Sequence, residues 1–138
     1  MADRPRDRLG RPTPDLANAA PPIPNETRSA AEALAVGRAF FNQGFPFLAH
    51  EVFEQQWRQT EGSERAYWRA LAQFAAGVTH LLRGNAVGGN RLLLRAADGL
   101  TLAGYEPRDL HSNAAALISW CNDPNRDLSA IPTFGSAS

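Results

Sequence analysis

Phe45-Pro46-Phe47-Leu48-Ala49-His50-Glu51-Val52-Phe53-Glu54-Gln55-Gln56-Trp57 is the stretch that decides the fold class. Pro46 is suited to the first turn of a helix, where its missing N–H costs nothing. At about 100° per residue, Leu48, Val52, Phe45, Ala49 and Phe53 fall on one arc with Trp57 at its edge. His50 and Glu54 follow just beyond Trp57. Four residues apart, they stand only about 40° from each other, which stacks an imidazole on a carboxylate where core meets solvent.

The same helical spacing continues on both sides, and no segment alternates with period two as a strand would. A first helix is predicted from about Ser29 to Gln43, with Thr27 or Ser29 as N-cap and Asn42-Gln43-Gly44 as its stop. The quoted segment carries the second, from Pro46 to about Thr60. Ser63 is the expected cap of a long third helix reaching about Arg83, closed by Gly84-Asn85. A fourth runs from about Val87 to Ala103, with Leu92, Leu93, Ala96, Ala97, Leu100 and Ala103 as its stripe, and a fifth from Pro107 or Arg108 to Cys121. The fold class is all-α, a compact bundle of about five helices built from helical hairpins around the long third helix. A faint echo at an offset of 40 residues sets Gly44, Val52 and Phe53 against Gly84, Leu92 and Leu93, as two turn-then-helix units.

Outside this core the composition changes. Six of the ten prolines lie in residues 1–24, beside alternating Arg and Asp, so residues 1–28 are expected to be a disordered or draped tail. Residues 29–121 form the helical domain, and residues 122–138, with Asp123-Pro124-Asn125, Pro132 and a Gly/Ser/Ala end, an irregular C-terminal tail.

Charge and cysteine usage exclude several classes. Fourteen basic residues balance fourteen acidic ones in 138, which gives no basic field for nucleic acid. The arginines are spread along the chain, and nucleic-acid binding ranks last among the readings. All the basic residues are Arg, so lysine-dependent Schiff-base chemistry is excluded. One cysteine, Cys121, can form no internal disulfide, and neither an 18-residue apolar span nor a secretory h-region is present. The expected location is cytoplasmic, with no membrane partner.

Chemistry could sit around the second and third helices. His50-Glu51-x-x-Glu54 has the spacing of a zincin helix with the second His replaced by Glu, and nothing else marks a peptide-cleaving site. On the third helix Tyr67, Ala70, Leu71, Phe74, Val78, Leu81 and Leu82 make the apolar arc. The far side carries Ala66, Gln73, Ala76, Gly77 and His80, small enough to let the second helix approach. Packed there, His50 and Glu54 would meet Gln73 and His80, and His50, Glu54 and His80 could hold a metal with water in the open position. Two histidines and a carboxylate near a helix interface are more often a satisfied hydrogen-bond network than a metal site. Trp57, Trp68 and Trp120 read as core or interface aromatics, Arg91, Arg95 and Asp98 as a solvated face, His111 as a surface residue and Cys121 as a small buried hydrophobe.

His50, Glu54 and Trp57 spell His-x-x-x-Glu-x-x-Trp, preceded by Asn42-Gln43-Gly44-Phe45-Pro46-Phe47-Leu48-Ala49. With Leu71-Ala72-Gln73-Phe74-Ala75-Ala76-Gly77-Val78-Thr79-His80 and Arg83-Gly84-Asn85, these blocks resemble the bacterial and archaeal domain of unknown function 309 family over roughly residues 33–97. The resemblance implies a small all-helical bundle and a His/Glu motif suspected of metal binding, with no established activity. Gln73, His80 and Asn85 are weaker matches. Where many relatives have an alanine after the Gly-Asn turn, Gly88-Gly89 is expected to loosen the start of the fourth helix.

Two function classes follow. In the first, His50, Glu54, Gln73 and His80, walled by Trp57, form a half-buried polar pocket for a divalent metal or small polar ligand, with any catalysis being metal-assisted hydrolysis in which Glu51 or Glu54 handles the proton. In the second, the chain is a noncatalytic interaction module for a protein partner or a second copy of itself, and the His/Glu pair only fixes helix register.

Overall fold

Ser29 starts α1 (Ala30–Asn42) through a reciprocal capping box: its hydroxyl accepts from the Glu32 amide while the Glu32 carboxylate accepts from the Ser29 amide. The computed structural model describes residues 6–14, 19–20, 26–103 and 114–132. After α1 come α2 (Pro46–Gln59), α3 (Glu64–Leu82), α4 (Ala86–Leu102) and α5 (Ala114–Asn122), followed by a 3-10 turn at Leu128–Ala130. Among the described residues there is no strand, only an isolated bridge between Arg6 and Pro12. None of the described helices is long and apolar enough to cross a membrane. The fold is a bundle of α-helices, as expected. The expected start of the last helix and His111 lie outside the described residues.

Each helix packs on the next, α1 on α2, α2 on α3, α3 on α4 and α4 on α5. Aromatic contacts make α3 the hub: Phe74 meets Phe41 of α1 at 5.2 Å and Trp120 of α5 at 6.1 Å between ring centroids. The arcs read from sequence are the buried ones. Ala49, Val52 and Phe53 of α2 meet Tyr67, Leu71, Phe74 and Val78 of α3 and Leu93, Ala96, Ala97 and Leu100 of α4 in one core, and Leu48 is buried as well. Gln56, not part of the predicted arc, is also buried.

The 40-residue echo is reproduced in hydrogen bonds. At the end of α1, Gln43, Gly44 and Phe45 donate to the carbonyls of Ala39, Phe41 and Phe40 at 3.1, 3.1 and 2.9 Å. At the end of α3, Arg83, Gly84 and Asn85 donate to those of Thr79, Leu81 and His80 at 3.0, 3.0 and 2.8 Å. Both closures need a left-handed residue, supplied by Gly44 (φ +92°) and Gly84 (φ +88°). The helix crossings correspond as well: Gly37 accepts the Phe53 ring against its backbone, and Gly77 accepts Leu93.

Two local expectations are corrected. Ser63 precedes α3 but makes no capping bond, because its backbone is already helical (φ −67°, ψ −28°). Gly88-Gly89 does not leave the start of α4 loose: Asn85 caps it by accepting from the Gly88 amide at 3.0 Å, and a Cβ on Gly89 would stand 3.0 Å from the Gly77 carbonyl. Glycine there permits close backbone approach. The small residues of α3 thus admit α4 as well as α2, since Gly77 faces Gly89 and a Cβ on Gly99 would lie 2.9 Å from that of Ala70.

Near the N-terminus, Asp7 accepts from the amides of Leu9 and Arg11 at 2.9 and 3.0 Å, closing a turn that buries Leu9 and sets Gly10 against the Phe47 ring. Beyond α5, Arg126 donates to the carbonyls of Trp120 and Cys121 and to the Asn90 side chain, tying the end of α5 to α4.

Candidate functional site

The pleat of α2 that buries Val52 and Phe53 leaves His50, Glu54 and Trp57 on its flank. His50 Nε2 lies 2.7 Å from Glu54 Oε2, so Nε2 carries the proton and the carboxylate accepts it. The other oxygen of Glu54 accepts from Arg58, one turn further on. Both His50 and Glu54 are about a quarter exposed, which places the pair between core and solvent as the helical spacing requires. The Phe47 ring packs against the imidazole with centroids 5.7 Å apart.

These residues face a cavity of about 200 Å³. From α2 it is lined by His50, Glu54 and Trp57, from α3 by Arg69, Ala72, Gln73 and Ala76, and from α4 by Leu92. A second cavity of about 260 Å³ is bounded by His50, Glu51, Glu54, Gln55 and Arg58. The His50–Glu54 pair therefore borders both recesses.

Arg65 and Arg69 stack on Trp57 with guanidinium carbons 4.6 and 5.7 Å from the ring centre. Two of the lining residues carry a buried ring nitrogen with no hydrogen-bond partner, His50 Nδ1 and Trp57 Nε1. Trp68 and Trp120 also have unpartnered Nε1 atoms, but of the three tryptophans only Trp57 lines this cavity. Arg69 and Gln73 make no hydrogen bond or ion pair with any described residue.

Of the residues singled out from sequence, His50, Glu54, Trp57 and Gln73 come together. His80 does not join them: it lies two turns beyond Gln73, lines neither cavity, and has Nδ1 3.2 Å from Asn85 Nδ2. Among the described residues no three His, Cys, Asp or Glu side chains are grouped so as to hold a metal ion. Within the pair, Glu54 has both oxygens engaged and His50 presents its protonated nitrogen to Glu54. A His50/Glu54/His80 metal set does not fit this geometry, and no metal-dependent step is derived from it. Arg69 was missed as a site residue, although it stands one turn before Gln73 on the same face of α3, a spacing visible in the sequence.

Comparison with known proteins adds one finding. No curated protein and no solved structure matches the chain significantly. Residues 34–92 match the family model described as domain of unknown function (DUF309), and every residue lining the first cavity falls inside that span. The resemblance read from the His-x-x-x-Glu-x-x-Trp segment is thus supported over residues 34–92, which match the model of the domain of unknown function 309 family.

Proposed function

We propose that this chain binds a small polar ligand in the cavity between α2, α3 and α4, with His50, Glu54, Trp57 and Gln73 as recognising groups. The observation that carries the reading is unused hydrogen-bonding capacity around one recess. Gln73 makes no hydrogen bond with any described residue, and two further lining residues, His50 and Trp57, hold a buried ring nitrogen without a partner. Polar groups in such places are ordinarily satisfied, so a set of them on one cavity favours a molecule that completes it. At about 200 Å³ the cavity is smaller than the ~300–1,000 Å³ sites of drug-sized compounds, which suits a compact metabolite.

The competing reading, in which the His/Glu pair only fixes helix register, gains little from the geometry. The polar bonds of this pair run along α2 from His50 to Glu54 to Arg58 and tie it to no other helix among the described residues. A pair that set register would bridge two helices.

A thermal-shift screen of small polar metabolites and divalent ions, run on wild type and His50→Ala, tests the proposal. Binding here raises the melting temperature of wild type and raises it less, or not at all, in the variant. If no compound stabilises wild type, or the variant responds equally, the proposal fails.

A further inference from the structure

The free groups around the cavity narrow the ligand class, because most of them can donate. Arg69 is a permanent cation that stacks on the face of Trp57 and makes no hydrogen bond or ion pair with any described residue. Gln73 offers an unpartnered amide, and Trp57 Nε1 can only donate. The carboxylate on the wall, Glu54, has one oxygen held by His50, which lines the same recess, and the other by Arg58 outside it, so both oxygens are engaged and Arg58 offsets the charge. Among the described residues no other acidic side chain lines the recess. A recess whose free polar groups are mainly donors, one of them a guanidinium, matches a ligand that is an acceptor and carries negative charge.

We infer that the ligand is a compact oxyanion, a carboxylate or a phosphate, whose charged end meets Arg69 and Gln73 and whose short apolar part lies on Ala72, Ala76 and Leu92. This rests on the binding reading given above and names its ligand class. Guanidinium forks match the paired oxygens of carboxylates and phosphates, and the aromatic face beneath Arg69 keeps that side chain from collapsing onto solvent. Arg65 stacks on the same ring but does not line the recess, so it supplies a matched control.

The test follows the three indole N–H signals of the ¹⁵N-labelled full chain during titration with inorganic phosphate, acetate or neutral acetamide, at fixed pH and ionic strength. Phosphate or acetate should move the Trp57 signal saturably while acetamide does not, and whichever anion binds tighter tells a tetrahedral from a planar head group. Arg69→Gln should weaken the anion about tenfold or more, whereas Arg65→Gln should change it less than about twofold. Gln73→Glu, which retains the shape and adds a negative charge, should weaken it as well. If acetamide matches the anions, or Arg69→Gln binds them as wild type does, the oxyanion assignment is overturned while the ligand site stands. If none of the three probes moves the Trp57 signal, the assignment is overturned, and the metabolite screen with His50→Ala decides separately whether the site binds anything.

Discussion

His50 Nε2 donates to Glu54 Oε2 at 2.7 Å, and both residues sit on α2 at the wall of a cavity that α3 and α4 complete. The bond holds the imidazole in one tautomer and turns Nδ1 away from the carboxylate. Because each side chain is about a quarter exposed, its contribution to stability is expected to be small. Glu54→Gln and His50→Ala should each cost about 1 kcal/mol in urea unfolding, with helical content retained. A cost above about 3 kcal/mol would instead mark the pair as part of the structural frame.

The two glycine positions of the first hairpin separate backbone strain from packing. Gly37 is buried, and a Cβ there would run into the Phe53 ring, which is fully buried. Gly37→Ala should therefore cost about 1–3 kcal/mol from overpacking, in spite of the roughly 1 kcal/mol that alanine gains in a helix. Gly44→Ala meets nothing within 4 Å and carries only the left-handed strain, about 1–2 kcal/mol. Near-ultraviolet circular dichroism distinguishes them: Gly37→Ala should alter the aromatic signal and Gly44→Ala should leave it unchanged.

Ser29 precedes α1 and Ser63 precedes α3, yet only Ser29 caps. Ser29→Ala should cost about 1 kcal/mol and Ser63→Ala close to nothing, measured by thermal unfolding. The side-chain and backbone hydrogen bonds from Ser29 hold the Glu32 carboxyl below its ordinary value of 4.5. A carboxylate depressed on folding adds stability above its ordinary pKa, and this is lost as pH falls through the folded value. In Ser29→Ala, Glu32 should titrate nearer 4.5, and that acid limb of the stability profile should shrink.

Cys121 is fully buried, and burial pushes its thiol up to about 12 against a weaker opposing pull from Arg126. It should resist alkylation in the native protein at neutral pH and react at once in denaturant, as followed by intact mass. Native reactivity comparable to that of the unfolded chain would mean that the end of α5 opens readily.

The α2 face was legible because five apolar residues and a proline agree on one period, and a period fixes which side chains share a face. That same geometry put His50 beside Glu54 without knowledge of any partner helix. What faces that pair was only partly legible, because it depends on where helices cross. His80 lies on the expected side of α3, but the turn after it brings back Asn85, and that side chain takes its Nδ1. Arg69 was not singled out, since nothing local reveals that Trp57 will lie beneath it. Leu9 sits among prolines and arginines, where composition argues for a tail, yet it is buried through a turn that rests on Phe47.

Filling the recess tests the ligand site most directly, because it changes no polar group. Ala76 lines the cavity and is half-buried, so Ala76→Leu would occupy the space a ligand needs. A thermal-shift screen of small polar compounds on wild type and Ala76→Leu side by side should find at least one compound that stabilises wild type and leaves the variant unmoved, with both proteins folded alike in its absence. Equal stabilisation of the two proteins by every active compound would contradict a ligand site between α2, α3 and α4.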